Sequence, residues 1–135
     1  MNQFLLHQND KSFNLPIIQK LINSYKLWQS YLPNFPQTIR HTLANKIDNN
    51  FIETIENIFN AAHNSSFREG ENKRFLLEKA TNKLDLLKFF LQIAWEIKTI
   101  DNKKFAALSE NLYEIGKMLG GWMRATKQQE YTSAE

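Results

Sequence analysis

Residues 72–100 read NKRFLLEKATNKLDLLKFFLQIAWEIKTI. At 100° per residue, Leu76, Leu77, Ala80, Leu84, Leu87, Leu91, Ala94 and Trp95 fall in one arc of a helical wheel. A second apolar arc of Phe75, Leu86, Phe89, Phe90, Ile93 and Ile97 faces away from the first, and only a narrow polar stripe of Asp85, Lys88, Gln92 and Glu96 lies between them. A helix that is apolar nearly all round must be covered nearly all round. This stretch is therefore the third and central helix of an all-α domain, with more apolar surface than one bundle uses.

The flanking sequence supplies three more helices. A first helix is expected from Asn14, with Pro16 tolerated in its first turn and Phe13 and Ile18 spaced as a hydrophobic staple; Ile18, Leu21, Ile22, Tyr25, Trp28 and Leu32 form its apolar face. The segment Pro33-Asn34-Phe35-Pro36 ends it. A second helix is expected from Pro36 to about His63, burying Ile39, Leu43, Ile47, Phe51, Ile55, Ile58, Phe59 and Ala62. Residues 64–71 read as a loop. Asp101 is a good N-cap for the fourth helix, which presents Phe105, Leu108, Leu112, Ile115, Leu119 and Trp122. Short connections make the four an up-down-up-down bundle over residues 14–127, with an N-terminal segment at 1–13 and a polar tail at 128–135.

Composition agrees with that architecture. The chain has 135 residues, 42% of them hydrophobic, with no valine and only four glycines and three prolines, so strands are disfavoured and long stretches run free of helix breakers. Each helix of such a bundle has two neighbours, which leaves the second arc of the third helix uncovered. A second copy of the chain is the simplest cover; the N-terminal segment, with Phe4, Leu5, Leu6 and Phe13, is the alternative. Burying six large side chains is worth on the order of 10 kcal/mol gross, enough to rival an association cost of about 4 to 15 kcal/mol.

Little in the chain is suited to catalysis. There is no cysteine, which removes thiolate metal sites, cysteine nucleophiles and disulfides, and which suits a reducing cytoplasm. His7, His41 and His63 lie far apart, and there is no Glu-x-x-His motif for a di-iron bundle. Neither Arg40 nor Arg68 is followed four to six residues later by the histidine of a HEPN-type ribonuclease. Glycines occur as Gly70 and in Gly116-Lys117-Met118-Leu119-Gly120-Gly121, and neither setting is a phosphate-cradling loop. The glycines of the second run cost helix propensity of about 1 kcal/mol each, which suggests a close helix approach. The expectation is a protein without enzymatic activity, cofactor, metal or membrane span.

Charge is the remaining signal. The formal net charge is +3, and the excess sits in residues 73–104, with eight basic and four acidic side chains, whereas 1–72 hold six of each and 105–135 hold three and four. Alternating helices group Arg68, Lys73, Arg74, Arg124 and Lys127 at one end and Arg40, Lys98, Lys103 and Lys104 at the other. Lys73, Arg74, Lys103 and Lys104 are expected in first helical turns, where the macrodipole disfavours cations by roughly 0.3 to 1 kcal/mol each but where positive charge attracts phosphate.

From Leu15 to Arg124 the chain resembles the Avd family, the accessory variability determinant proteins of diversity-generating retroelements, within a four-helix-bundle group that includes proteins of ribosomal-RNA intervening sequences. The matching segments are Leu15-Pro16-Ile17-Ile18-Gln19-Lys20, Phe35-Pro36 with Arg40, Thr42-Leu43 and Lys46-Ile47, then LEKATNKLDLLKFFLQIAWEIK at 77–98 and IDNKKFAALSENLYEIGKMLGGWMR at 100–124. His41 and Ala44 depart from the family's frequent aromatic and glycine. The resemblance implies a homopentameric barrel of four-helix bundles that associates with the retroelement's reverse transcriptase, its template RNA and the cDNA during error-prone synthesis. The matched cations Arg40, Lys46, Lys83, Lys88, Lys103, Lys104, Lys117 and Arg124 then become candidate nucleic-acid or partner contacts; charge placement adds Lys73 and Arg74. Phe75, Leu86, Phe89, Phe90, Ile93 and Ile97 become the candidate oligomer interface. A protein-only oligomeric scaffold of the same group is the alternative.

Overall fold

The computed structural model describes residues 11–63 and 69–134. Among these residues all regular structure is helical: α1 Lys11–Tyr31, a 3-10 turn Leu32–Asn34, α2 Gln37–Arg40, α3 Leu43–His63, α4 Glu69–Glu96 and α5 Asn102–Ala134. α1 packs on α3 and α5, α3 on α4, and α4 on α5, so the four long helices close a ring around one core. Cross-helix contacts fix their directions. Tyr31 at the end of α1 meets Lys104 at the start of α5, and further along the same pair Lys20 meets Glu114 at 3.5 Å. Lys83 reaches Glu53 at 3.1 Å midway along both helices, and the connection from His63 to Glu69 is too short to run back along α3, so α4 lies antiparallel to it. The result is the up-down-up-down bundle that the sequence pattern predicts. No helix among the described residues is long and apolar enough to cross a membrane.

The core of α4 is a regular ladder: Leu77, Ala80, Leu84, Leu87, Leu91 and Ala94 are all fully buried, at the alternating three- and four-residue spacing of bundle packing. Leu108, Leu112, Ile115, Leu119 and Trp122 answer from α5, and Ile47, Phe51 and Ile58 from α3. On α1 the buried stripe is Ile17, Leu21, Ser24, Trp28 and Tyr31, one position round from the expected face; Ile22 is exposed and Ile18 and Tyr25 sit at the edge.

Several boundaries differ from expectation. α1 begins at Lys11 rather than Asn14, which places Pro16 inside the helix. The expected second helix is split at His41-Thr42, because the Ile39 carbonyl accepts the Thr42 N–H at 3.3 Å and the Thr42 hydroxyl at 3.4 Å, closing a tight turn before α3 starts. α4 starts at Glu69, so residues 69–71 are helical rather than loop, and α5 continues through Ala134 because residues 128–134 contain no breaker. Phe59 lies on the surface of α3, stacked on His63 at 4.0 Å between ring centroids. In its place the interior face of α3 carries Asn50, Thr54 and Asn57, whose side chains donate to the carbonyls of Lys46, Asn50 and Glu53 on the preceding turn. The expectations for Phe4, Leu5, Leu6 and Arg68 lie outside the described residues.

The turn between α4 and α5 shapes one end of the molecule. α4 closes in a Schellman motif: the Thr99 N–H donates to the Ala94 carbonyl at 2.9 Å and the Lys98 N–H to the Trp95 carbonyl at 3.0 Å. Lys98 occupies the position usually held by glycine, with φ 66°. Replacing Lys98 by glycine should therefore relieve left-handed strain and stabilise the fold by about 1 kcal/mol, read as a rise of about 3 °C in melting temperature; a fall would contradict that account of the turn. Asp101 then caps α5, its Oδ1 accepting the Lys104 N–H at 2.8 Å.

Candidate nucleic-acid interface

The end of the bundle formed by the 3-10 turn, α2 and the α4–α5 turn collects cations from three parts of the chain. Tyr31 is the link between them. Its hydroxyl donates to the Lys104 carbonyl at 3.1 Å, and the Lys104 ammonium lies over its ring at 5.7 Å. Burial raises the Tyr31 pKa above its ordinary value, and the negative charge of Asp101 acts in the same direction. Arg40 folds back on the 3-10 turn, donating from Nε to the Phe35 carbonyl and from Nη2 to the Pro33 carbonyl, both at 3.0 Å. Both acceptors are neutral, so these bonds hold the guanidinium in place without cancelling its charge. Lys98 is exposed in the α4–α5 turn, Lys103 in the first turn of α5 and Lys46 in the first turn of α3. Arg40, Lys98, Lys103 and Lys104 thus share one end, as alternating helices require.

The other candidate cations are dispersed. Lys83 spans the α3–α4 seam to Glu53 rather than pairing within its own helix. Lys88 lies 4.0 Å from Asp85, and its amine rests against α5 at Gly116, where an added Cβ would come within 3.2 Å of it. The close helix approach therefore occurs at Gly116; at Gly120 an added Cβ would meet Arg124 of its own helix at 3.4 Å. Lys117 lies over the Tyr113 ring at 5.3 Å, and Arg124 is exposed further along α5. Because α4 starts at Glu69, Lys73 and Arg74 lie beyond its first turn, and Lys73 is only 4% exposed, in register with the core ladder. That burial removes Lys73 from a surface that could touch a phosphate backbone. Its spacing to Leu77 was the available signal in the sequence.

The outer side of α4 is apolar and open in the single chain. Phe75 is 59% exposed, Phe89 55%, Ile97 51% and Leu86 43%, whereas Ile93 is half-buried and Phe90 packs partly into the core. A second exposed set, which the sequence pattern had assigned partly to the interior, lies across α1 and α3. Asp48 of α3 accepts from Tyr25 of α1, and helical spacing carries that seam through Ile52, Ile55 and Phe59 on α3 and through Ile22 and Ile18 on α1. Ile22, Ile52 and Phe59 are all exposed. The two apolar faces belong to different sides of the bundle.

Among the described residues no group of three or more histidine, aspartate or glutamate side chains is placed to hold a metal ion. A protein-family model described as bAvd-like matches residues 15–126. No curated protein and no solved structure gives a significant match.

Proposed function

The chain belongs to the bAvd-like family, and from that premise we propose that it is a non-enzymatic accessory subunit of a diversity-generating retroelement, binding the reverse transcriptase and its template RNA to support mutagenic cDNA synthesis in the cytoplasm. The family match over residues 15–126 is the observation that carries this reading. The cation-rich end supports it: Arg40, Lys98, Lys103 and Lys104 share one end of the bundle, and contact with a phosphate backbone asks for positive charge there rather than for a catalytic geometry.

Assembly into a homopentamer completes the proposal. Two unlike apolar faces on one subunit suit a head-to-tail contact, which closes into a ring when the rotation per subunit allows it. Such a ring repeats a modest basic patch around one rim, and several weak contacts on one RNA then act together. With a formal charge of only +3 per chain, repetition matters more than the strength of any single patch.

Replacing Lys103 and Lys104 together by glutamate should weaken RNA binding at least about tenfold at moderate salt and reduce the slope of log affinity against log salt by about 1.5, as expected for two lost phosphate contacts. Unchanged binding of a labelled RNA removes this end from the interface. The rival reading, a protein-only oligomeric scaffold, is favoured by the near balance of charge; it predicts no salt-dependent RNA binding by the wild-type oligomer.

A further inference from the structure

Between the end of α4 and the start of α5 lies an open cavity of about 780 Å3, within the size range of small-ligand sites, lined by Trp95, Glu96, Lys98, Ile100, Asp101 and Asn102. Trp95 forms its aromatic wall. One face of the indole is stacked on Phe105, with ring centroids 4.6 Å apart and planes 8° from parallel. The indole N–H donates to the Asn102 side-chain oxygen at 2.7 Å, which fixes the rotation of the ring. The indole's one polar group is thereby used within the protein, and what it offers a visitor is a flat π surface. Trp28 and Trp122 are completely buried, whereas Trp95 is half-buried.

We propose that this cavity is a stacking subsite for an unpaired nucleotide, with the base laid against Trp95 and its flanking phosphates drawn to Lys98 and Lys103. The inference rests on the nucleic-acid reading above and adds to it a selectivity for single strands. Aromatic platforms beside mobile cations bind unpaired bases of any sequence, because every base has a π face. Two carboxylates also stand in the wall. Asp101 uses Oδ1 to cap α5, and Glu96 uses Oε2 to accept from Gln92 at 2.9 Å, which holds both in fixed positions. Each has a second oxygen able to accept from the amino edge of a stacked base. The left-handed backbone at Lys98 turns the chain directly into the rim, so a cation and a platform are set side by side by the same turn.

The test is intrinsic tryptophan fluorescence of the full chain, titrated with an unpaired RNA of about eight nucleotides, a length within the usual single-strand site size. A labelled copy of that RNA is followed in parallel by anisotropy. With Trp28 and Trp122 buried, quenching reports Trp95. The expected result is strong quenching by the single strand, none by a duplex of equal length, and about tenfold weaker binding for Trp95→Leu with the salt slope unchanged. Trp95→Phe, which keeps a ring stacked on Phe105, should recover most of the affinity. Binding seen by anisotropy without any change in emission, and with Trp95→Leu equal to wild type, overturns the subsite and leaves the nucleic-acid reading standing. Quenching by a basic peptide but not by RNA also overturns it. No binding of labelled RNA at any salt overturns both.

Discussion

Replacing Phe75 and Phe89 together by glutamate is expected to convert the proposed homopentamer into a folded monomer. Both rings stand on the outer side of α4, 59% and 55% exposed in the single chain, so neither contributes much to the subunit's own core. Each is worth about 1.5 to 3 kcal/mol when covered, and a carboxylate in its place adds the cost of removing charge from water. Together the changes should remove more than about 5 kcal/mol per contact, over a thousandfold in affinity. Far-UV dichroism and melting temperature should stay near wild type while the light-scattering mass falls to one chain; an unchanged mass contradicts the interface. A head-to-tail contact makes a sharper demand. Replacing Ile52 and Phe59 by glutamate should also give monomers, from the opposite face. A mixture of the two variants keeps one intact contact and should yield a heterodimer, never a ring.

The largest effect on folding should come from Asp48. Its Oδ1 accepts from the Tyr25 hydroxyl at 2.8 Å, the Trp28 indole N–H at 3.1 Å and the Gln29 amide at 3.2 Å, tying α1 to α3. Trp28 is fully buried between Phe35, edge-on at 5.3 Å, and Phe51, stacked at 6.4 Å, so its N–H cannot turn to water when the acceptor is lost. Asp48→Ala should cost about 3 kcal/mol, combining a charge-assisted bond with a buried donor left unsatisfied, or roughly 10 °C in melting temperature. Asp48→Asn keeps an oxygen in place and should cost about 1 kcal/mol. An alanine variant as stable as wild type contradicts this role. Burial, then the hydrogen bond and charge of Asp48, raise the Tyr25 pKa above 10.0. The fold therefore favours neutral Tyr25; that stabilisation is complete below pH 10 and is lost as pH climbs through the folded value.

How legible each feature was in the sequence depended on how local its cause was. The ladder from Leu77 to Ala94 and the cap at Asp101 follow from spacing within one helix, and both appear in the structure. The uncovered arc of α4 was legible for the same reason, through Phe75, Leu86, Phe89 and Ile97. What pattern reading missed was set by contacts distant in the chain. The α1 face is rotated because Trp28 seeks Asp48, 20 residues on, and Lys83 finds Glu53 across a helix seam. Asn50, Thr54 and Asn57 hide in the interior by returning their donors to their own backbone, which no hydropathy pattern registers. The Schellman turn carries lysine instead of glycine, so its usual marker is missing at Lys98. The cation-rich end was readable from topology alone. The platform at Trp95 was not, because the wheel places that residue in the core arc while the end of α4 leaves it at the rim.

The central claim is that this chain joins a reverse transcriptase to its RNA. It is tested most directly by mixing the purified chain with the reverse transcriptase of its own retroelement and the template RNA, then measuring absolute mass by light scattering across a size-exclusion column. The account predicts an oligomer near five times the 15.9 kDa chain that shifts to a heavier peak containing all three components at low salt and releases RNA as salt rises. A chain that elutes apart from both polymerase and RNA at every salt concentration contradicts it.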